Sequence, residues 1–149
     1  MLVKEIMTPG VDAVRPDATL QEAARRMRDT NVGSLPVSEA GKLLGMITDR
    51  DICCRAVAEG RDTARTTVQE VMSRELTSCF SDDDIAEAAQ LMERKHIRRL
   101  AVLNRDHTMA GFLSVDDLAH HSHQLAGYVL DAARAKHRET RAQWYYSGG

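Results

Sequence analysis

The chain lacks most of the features that would assign it quickly. Of its 149 residues only three are cysteine, and two of those are adjacent at Cys53-Cys54. That excludes a disulfide framework, and no Cys-x-x-Cys pair offers a zinc or redox motif. The expectation for these cysteines is the role of small buried apolar side chains. No run of about 18 apolar residues is present, and the opening Met1-Leu2-Val3-Lys4-Glu5 lacks the order of a secretory signal, so no membrane span is expected and a cytoplasmic location is. The net charge is −2, with acids and bases interspersed. Such a balance makes no case for nucleic acid, whose binding proteins carry a dense basic face. Gly-x-Ser-x-Gly, His-Glu-x-x-His, P-loop and Gly-x-Gly-x-x-Gly motifs are all missing, and a non-catalytic role is expected. Aromatic residues are few, six in all. Four of them, Tyr128, Trp144, Tyr145 and Tyr146, gather near the end, where His, Lys and Arg outnumber acids from His120 onward.

What is present is repetition. Val3-Lys4-Glu5-Ile6-Met7-Thr8 matches Val68-Gln69-Glu70-Val71-Met72-Ser73 at an offset of 65. The same offset pairs Leu20, Ala23, Ala24 and Met27 with Ile85, Ala88, Ala89 and Met92. Gly45-Met46-Ile47-Thr48-Asp49-Arg50-Asp51 then returns at an offset of 66 as Gly111-Phe112-Leu113-Ser114-Val115-Asp116-Asp117. Two copies of one unit therefore occupy residues 1–122, and repetition of this kind is the first thing that fixes a fold.

Within each copy the pattern predicts strand, helix, strand, strand, helix. In the first, Asp12 to Arg15 reads as a strand ending at Pro16. Thr19-Leu20-Gln21-Glu22 starts a helix with a capping box, and Leu20, Ala23, Ala24 and Met27 share one face of it. Ser34–Ser38 and Leu43–Ile47 read as a hairpin around Gly41, and a helix is predicted from Thr48 or Asp49 to Glu59, stopped by Gly60. The second copy repeats the order, with a strand at Thr77 to Phe80, a helix from Asp84 to Lys95, strands at Arg99 to Leu103 and Ala110 to Leu113, and a helix from Val115. The expected fold class is α/β: two tandem β-α-β-β-α repeats packed as a pseudo-symmetric pair, because one small sheet cannot hide its own apolar face. The divisions are residues 1–62, a polar linker at 63–67, residues 68–122, and a C-terminal helix and tail at 123–149. Leu125, Tyr128, Val129, Ala132 and Ala133 give that last helix an apolar stripe, which must pack on the module or on another chain.

The repeated motif admits two roles. Thr48 or Ser114 can cap the helix while Asp51 or Asp117, three residues on, reaches back. The same residues can serve a ligand, the hydroxyl near a phosphate and the carboxylate accepting from sugar hydroxyls.

Taken together, the Lys4-Glu5-Ile6-Met7-Thr8 and Gln69-Glu70-Val71-Met72-Ser73 openings, the Thr19-Leu20-x-Glu22-Ala23 helix start and the two Gly-x-x-[Thr/Ser]-x-x-Asp segments resemble the tandem CBS-domain pair, or Bateman module, of the stand-alone bacterial and archaeal type. The resemblance covers residues 1–122. It implies two pseudo-symmetric clefts between the repeats, stacking of two modules into a homodimer, and adenine-containing ligands such as AMP, ADP, ATP, S-adenosylmethionine or NAD, with no cofactor required. Carried over residue by residue, Thr48 and Ser114 match the phosphate-proximal hydroxyl, and Asp51 and Asp117 the ribose-binding acid. Thr8, Asp12, Ala13, Ser73, Thr77 and Ser78 lie in the segments that wall the base. Arg98 and Arg99 stand where relatives place phosphate-binding cations, whereas the first repeat has Thr30-Asn31-Val32-Gly33-Ser34 there, with Arg50 as a partial substitute. The Ser114/Asp117/Arg99 cleft is the favoured phosphate site, and Thr48/Asp51 the second.

The expected function is that of a sensor whose ligand shifts a conformational or oligomeric equilibrium read by a separate effector protein. One alternative is a ligand-independent dimerisation module. Another is metal sensing through the cluster His120, His121 and His123, in which His120 and His123 are at i, i+3 and for which only His96, His107 and His137 remain as further histidine partners, so no metal site is assigned.

Overall fold

A computed structural model of the protein describes residues 1–10 and 12–146, and side chains as far as residue 135. The chain divides into two compact units. Their boundaries do not follow the repeats: one, here the C-terminal unit, holds Met1–Gly10, Thr77–Asp106 and the chain from Ala110 onward, and the other, the N-terminal unit, holds Val11–Leu76 with His107–Met109. The opening segment of each repeat thus belongs to the unit built around the other.

The C-terminal unit begins with α1 (Val3–Ile6) and β1 (Thr8–Pro9) and continues with β4 (Ser78–Phe80), α5 (Ile85–Lys95), β5 (Arg99–Leu103), β6 (Met109–Ser114), α6 (Val115–His121) and α7 (His123–Tyr146). Its sheet has the order β1-β6-β5-β4, with β1 antiparallel to β6 and β4 parallel to β5. Asp84 caps α5, its Oδ1 accepting the Ala86 N–H at 2.8 Å, and His96 closes the helix at a positive φ of 55°. Ala88, Ala89 and Met92 face a core shared with Val3, Leu100, Val102, Leu113 and Leu118. Helix α7 packs on α5 and α6 and adds Ala126 and Val129 to this core, with Leu125 and Leu130 packed against it, so part of its apolar stripe is covered within its own unit. Tyr128, expected on the stripe, is 50% exposed. Between α6 and α7 the chain breaks at Ser122, which ends one helix and caps the next by accepting the Leu125 N–H on Oγ at 3.3 Å.

The N-terminal unit contains α2 (Leu20–Thr30), the hairpin β2 (Ser34–Glu39) and β3 (Lys42–Thr48), α3 (Asp49–Asp51) and α4 (Val68–Val71). The predicted capping box of α2 is formed, with Thr19 Oγ1 accepting the Glu22 N–H at 3.2 Å and Glu22 Oε2 accepting the Thr19 N–H at 3.3 Å. The same device opens α4, where the Thr67 N–H and hydroxyl hold the Glu70 carboxyl below its ordinary value. The hairpin turns through Ala40 and Gly41, both at positive φ (52° and 79°), as a two-residue connection between antiparallel strands demands. Leu20, Ala23, Met27, Leu35, Val37 and Ile47 form the core. Ala24 is exposed although its counterpart Ala89 is buried, because α7 covers α5 and α2 carries Arg26 where α5 has Leu91.

Several expectations need correction. The strand expected at Asp12 to Arg15 amounts to one parallel bridge, Val14 to Val37. The helix expected from Thr48 to Glu59 is α-helical only over Asp49–Asp51. It continues as a π-helix over Ile52–Val57, with the Ala58 N–H reaching back to the Cys53 carbonyl at 2.9 Å. Only Ala56 of that turn is buried, so Cys53 and Cys54 are exposed rather than buried. Cys79 alone has the expected environment, and burial, reinforced by the nearby Asp83 charge, pushes its thiol up to about 11. Titration of the native chain with an aromatic disulfide reagent near neutral pH should therefore modify two thiols quickly and the third only on unfolding.

Candidate functional site

Each repeated motif ends a strand and starts a helix, and its glycine has a specific cause. Beside Gly45 crosses the segment containing Ser73, whose N–H donates to the Met46 carbonyl and whose carbonyl accepts the Met46 N–H, both at 2.9 Å. A Cβ on Gly45 would stand 2.4 Å from that Ser73 carbonyl oxygen. Beside Gly111 crosses β1, and a Cβ there would stand 2.2 Å from the Thr8 carbonyl oxygen. Thr8 and Ser73 are equivalent residues of the two openings, so each unit brings the opening of one repeat across the motif of the other.

The hydroxyl and acid form a reciprocal cap in both copies. Thr48 Oγ1 accepts the Asp51 N–H at 3.0 Å, and Asp51 Oδ2 accepts the Thr48 N–H at 3.0 Å. Ser114 Oγ accepts the Asp117 N–H at 3.1 Å, and Asp117 Oδ2 accepts the Ser114 N–H at 2.8 Å. Capping commits one oxygen of each carboxylate and leaves Oδ1 for other partners. For Asp117 the neighbour is the Thr8 hydroxyl, which donates to Oδ1 at 3.4 Å. For Asp51 it is Arg55, whose Nε lies 3.8 Å from Oδ1 and whose Nη1 donates to the Val71 carbonyl at 3.2 Å. Thr48→Ala and Ser114→Ala should each cost about 1 kcal/mol of stability, as helix caps of this kind do, measured by denaturant unfolding of the single variants.

The other candidates divide between the units. Arg98 and Arg99 are exposed in the C-terminal unit, and the Arg98 carbonyl accepts the Val115 N–H at 3.0 Å, which fixes its backbone at the start of α6. Gly33 holds the equivalent position in the N-terminal unit, its carbonyl accepting the Asp49 N–H at 2.9 Å, and a Cβ there would meet Asp49 Oδ2 at 3.1 Å. The C-terminal unit thus carries an arginine at the position that is a glycine, beside the Asp49 carboxylate, in the N-terminal unit. Arg50 is exposed. Of the candidate base-wall residues, Thr8, Thr77 and Ser78 belong to the C-terminal unit, and Asp12, Ala13 and Ser73 to the N-terminal one. Thr8 is brought to Asp117, whereas Asp12 pairs with Arg26 at 3.4 Å. Ala13 lines a groove of about 390 Å³ together with Arg15, Asp17, Glu22 and Arg26, and this groove includes neither Thr48 nor Asp51. Sequence reasoning missed Arg55, although its spacing of four residues from Asp51 on a helix is a legible signal.

Among the described residues no three or more His, Cys, Asp or Glu side chains are placed to hold a metal ion, and His120, His121 and His123 are exposed. His137 and the aromatics Trp144, Tyr145 and Tyr146 have side chains outside the described residues. No helix, among the described residues, is long and apolar enough to cross a membrane.

Comparison with known proteins agrees with this duplicated architecture. The family model described as CBS domain matches twice, at residues 3–56 and 68–124. CBS domain-containing protein YhcV of Bacillus subtilis is 45% identical over 130 residues, which covers 86% of this chain and 91% of that protein. Hypoxic response protein 1 of Mycobacterium tuberculosis is 32% identical over 129 residues. A crystal structure of Hypoxic Response Protein I with two coordinated zinc ions superposes with a TM-score of 0.74, covering 82% of this chain and 99% of that one. The CBS domain pair of protein MJ0100, crystallised with 5′-methylthioadenosine and S-adenosyl-L-methionine, gives a TM-score of 0.70 at 26% identity over 80% of this chain and 94% of that one.

Proposed function

The chain belongs to the CBS-domain family, and on that premise we propose that it is a non-catalytic regulatory module that binds an adenine-containing nucleotide or related ligand at Asp51 and Asp117. The observation that carries the reading is the duplicated hydroxyl–acid pair, in which capping uses one carboxylate oxygen and leaves the other for a sugar hydroxyl. The adenosyl compounds bound by the MJ0100 pair support that ligand class. Thr48 and Ser114 stand near the phosphate or its substitute, Arg98 and Arg99 supply cations in the C-terminal unit, and Arg50 does so in the N-terminal one. The base lies against Thr8, Thr77 and Ser78 or against Asp12, Ala13 and Ser73. Signalling is by linkage: a ligand that binds one arrangement of the module, or of a homodimer, better than another shifts that population, and a separate effector protein senses it.

A thermal-unfolding screen with AMP, ADP, ATP, S-adenosylmethionine and NAD tests this. A compound present at about 100 times its Kd should stabilise the chain by about 2.7 kcal/mol. If none of the five raises the midpoint, the ligand reading fails and a ligand-independent dimerisation module replaces it.

A further inference from the structure

The two hydroxyl–acid pairs share their caps and differ in what meets the outer oxygen of the acid. In the C-terminal unit it is a neutral hydroxyl, Thr8 Oγ1. In the N-terminal unit it is a cation, Arg55. The Asp51 side chain is 17% exposed and held by its cap, whereas that of Arg55 is 56% exposed and donates from Nη1 to the Val71 carbonyl at 3.2 Å. The repeat register places exposed His121, not an arginine, at the position equivalent to Arg55 in the other copy.

We infer that Arg55 makes the Asp51 site selective for anionic occupants, that is, for ribonucleotides carrying a phosphate over nucleosides and sulfonium adenosyl compounds. The inference rests on the reading that a ribose is held at Asp51. A sugar hydroxyl donating to Asp51 Oδ1 takes the oxygen that Arg55 now faces. The guanidinium then gives up its place beside that oxygen, and an occupant that brings an anion of its own offers it a charged partner where a neutral one does not. A phosphate supplies that anion in the form a planar guanidinium fits best. A neutral nucleoside leaves Arg55 unmatched, and a sulfonium adds a like charge. Thr8 imposes no such condition on Asp117, because a hydroxyl that loses its acceptor can turn and accept instead.

The test uses the full chain carrying Asp117→Ala, so that only the Asp51 site reports, and compares AMP with adenosine by isothermal titration. AMP should bind about tenfold more tightly than adenosine, the value of one charge-assisted contact. Arg55→Ala should bring the two affinities closer, with Arg50 left as the other cation of that unit, and Arg55→Lys should restore part of the preference. Circular dichroism shows whether each variant is folded, and if the alanine variant is not, Arg55→Gln takes its place, where a preference equal to that of the parent overturns the inference. So does an unchanged AMP-to-adenosine ratio in a folded Arg55→Ala variant whose AMP binding still depends on Asp51; the ribose reading survives that result. Absence of heat with either compound in both the unsubstituted chain and the Asp117→Ala chain overturns the two together.

Discussion

Gly111→Ala should lower the thermal midpoint of this chain by about 9 °C. The reason is geometric: the new methyl carbon would sit 2.2 Å from the Thr8 carbonyl oxygen and 3.1 Å from the Pro9 Cα, both backbone atoms. A flexible side chain would move aside, whereas here β1 must shift along β6 and lose the pairing of Thr8 with Phe112 and Pro9 with Gly111. Overpacking of this severity costs about 3 kcal/mol, and each kcal/mol moves the midpoint of a chain of this size by about 2–4 °C. Gly45→Ala meets the Ser73 carbonyl at 2.4 Å and should behave alike. Gly127→Ala is the control: its Cβ meets nothing within 4 Å inside α7, and the loss of a helical glycine should raise stability by about 0.5–1 kcal/mol. A differential scanning calorimetry series on the three variants reads all of this. Equal midpoints for Gly111→Ala and Gly127→Ala would mean that β1 does not cross the motif as described.

Val129→Asp should destabilise the chain by about 4 kcal/mol. Val129 is fully buried, in one apolar cluster with Ala89, Met92 and Leu118, so a carboxylate there would be withdrawn from water among hydrocarbon side chains. Burying an unpaired charge is among the few single changes with so large an effect. The adjacent Tyr128, half exposed and accepting from Gln124 Nε2 on its hydroxyl at 2.9 Å, should tolerate alanine within about 0.5 kcal/mol. Urea unfolding of the pair distinguishes a helix that completes the C-terminal unit from one that merely follows it. Similar midpoints for the two variants would show that α7 is not part of that core.

Helices α2 and α5 were readable from Thr19, Glu22 and Asp84 at their starts and from apolar residues at helical spacing, since each signal is local and repeated twice. The capping role of Thr48, Asp51, Ser114 and Asp117 was equally local. The exchange of openings was not: β1 is two residues long, too short for any periodicity, and its place beside β6 is fixed by a contact across about a hundred residues. Nor does composition distinguish an exposed Cys53 from a buried Cys79, because the difference follows from a π turn that buries Ala56 alone. The stripe on α7 was visible, but only packing against α5 decides that Ala126 rather than Tyr128 lies inward. At the candidate site the acids were legible and their neighbours only partly so: Arg55 is four residues from Asp51, whereas Thr8 reaches Asp117 only in the folded chain.

The central claim is that each carboxylate of the repeated motif serves one ligand as well as one helix cap. Isothermal titration of AMP into the unsubstituted chain, Asp51→Ala, Asp117→Ala and the double variant tests it most directly, with circular dichroism confirming the fold of each. Two sites per chain are predicted, one remaining in each single variant and none in the double variant. Undiminished binding of AMP by a folded double variant would contradict the account.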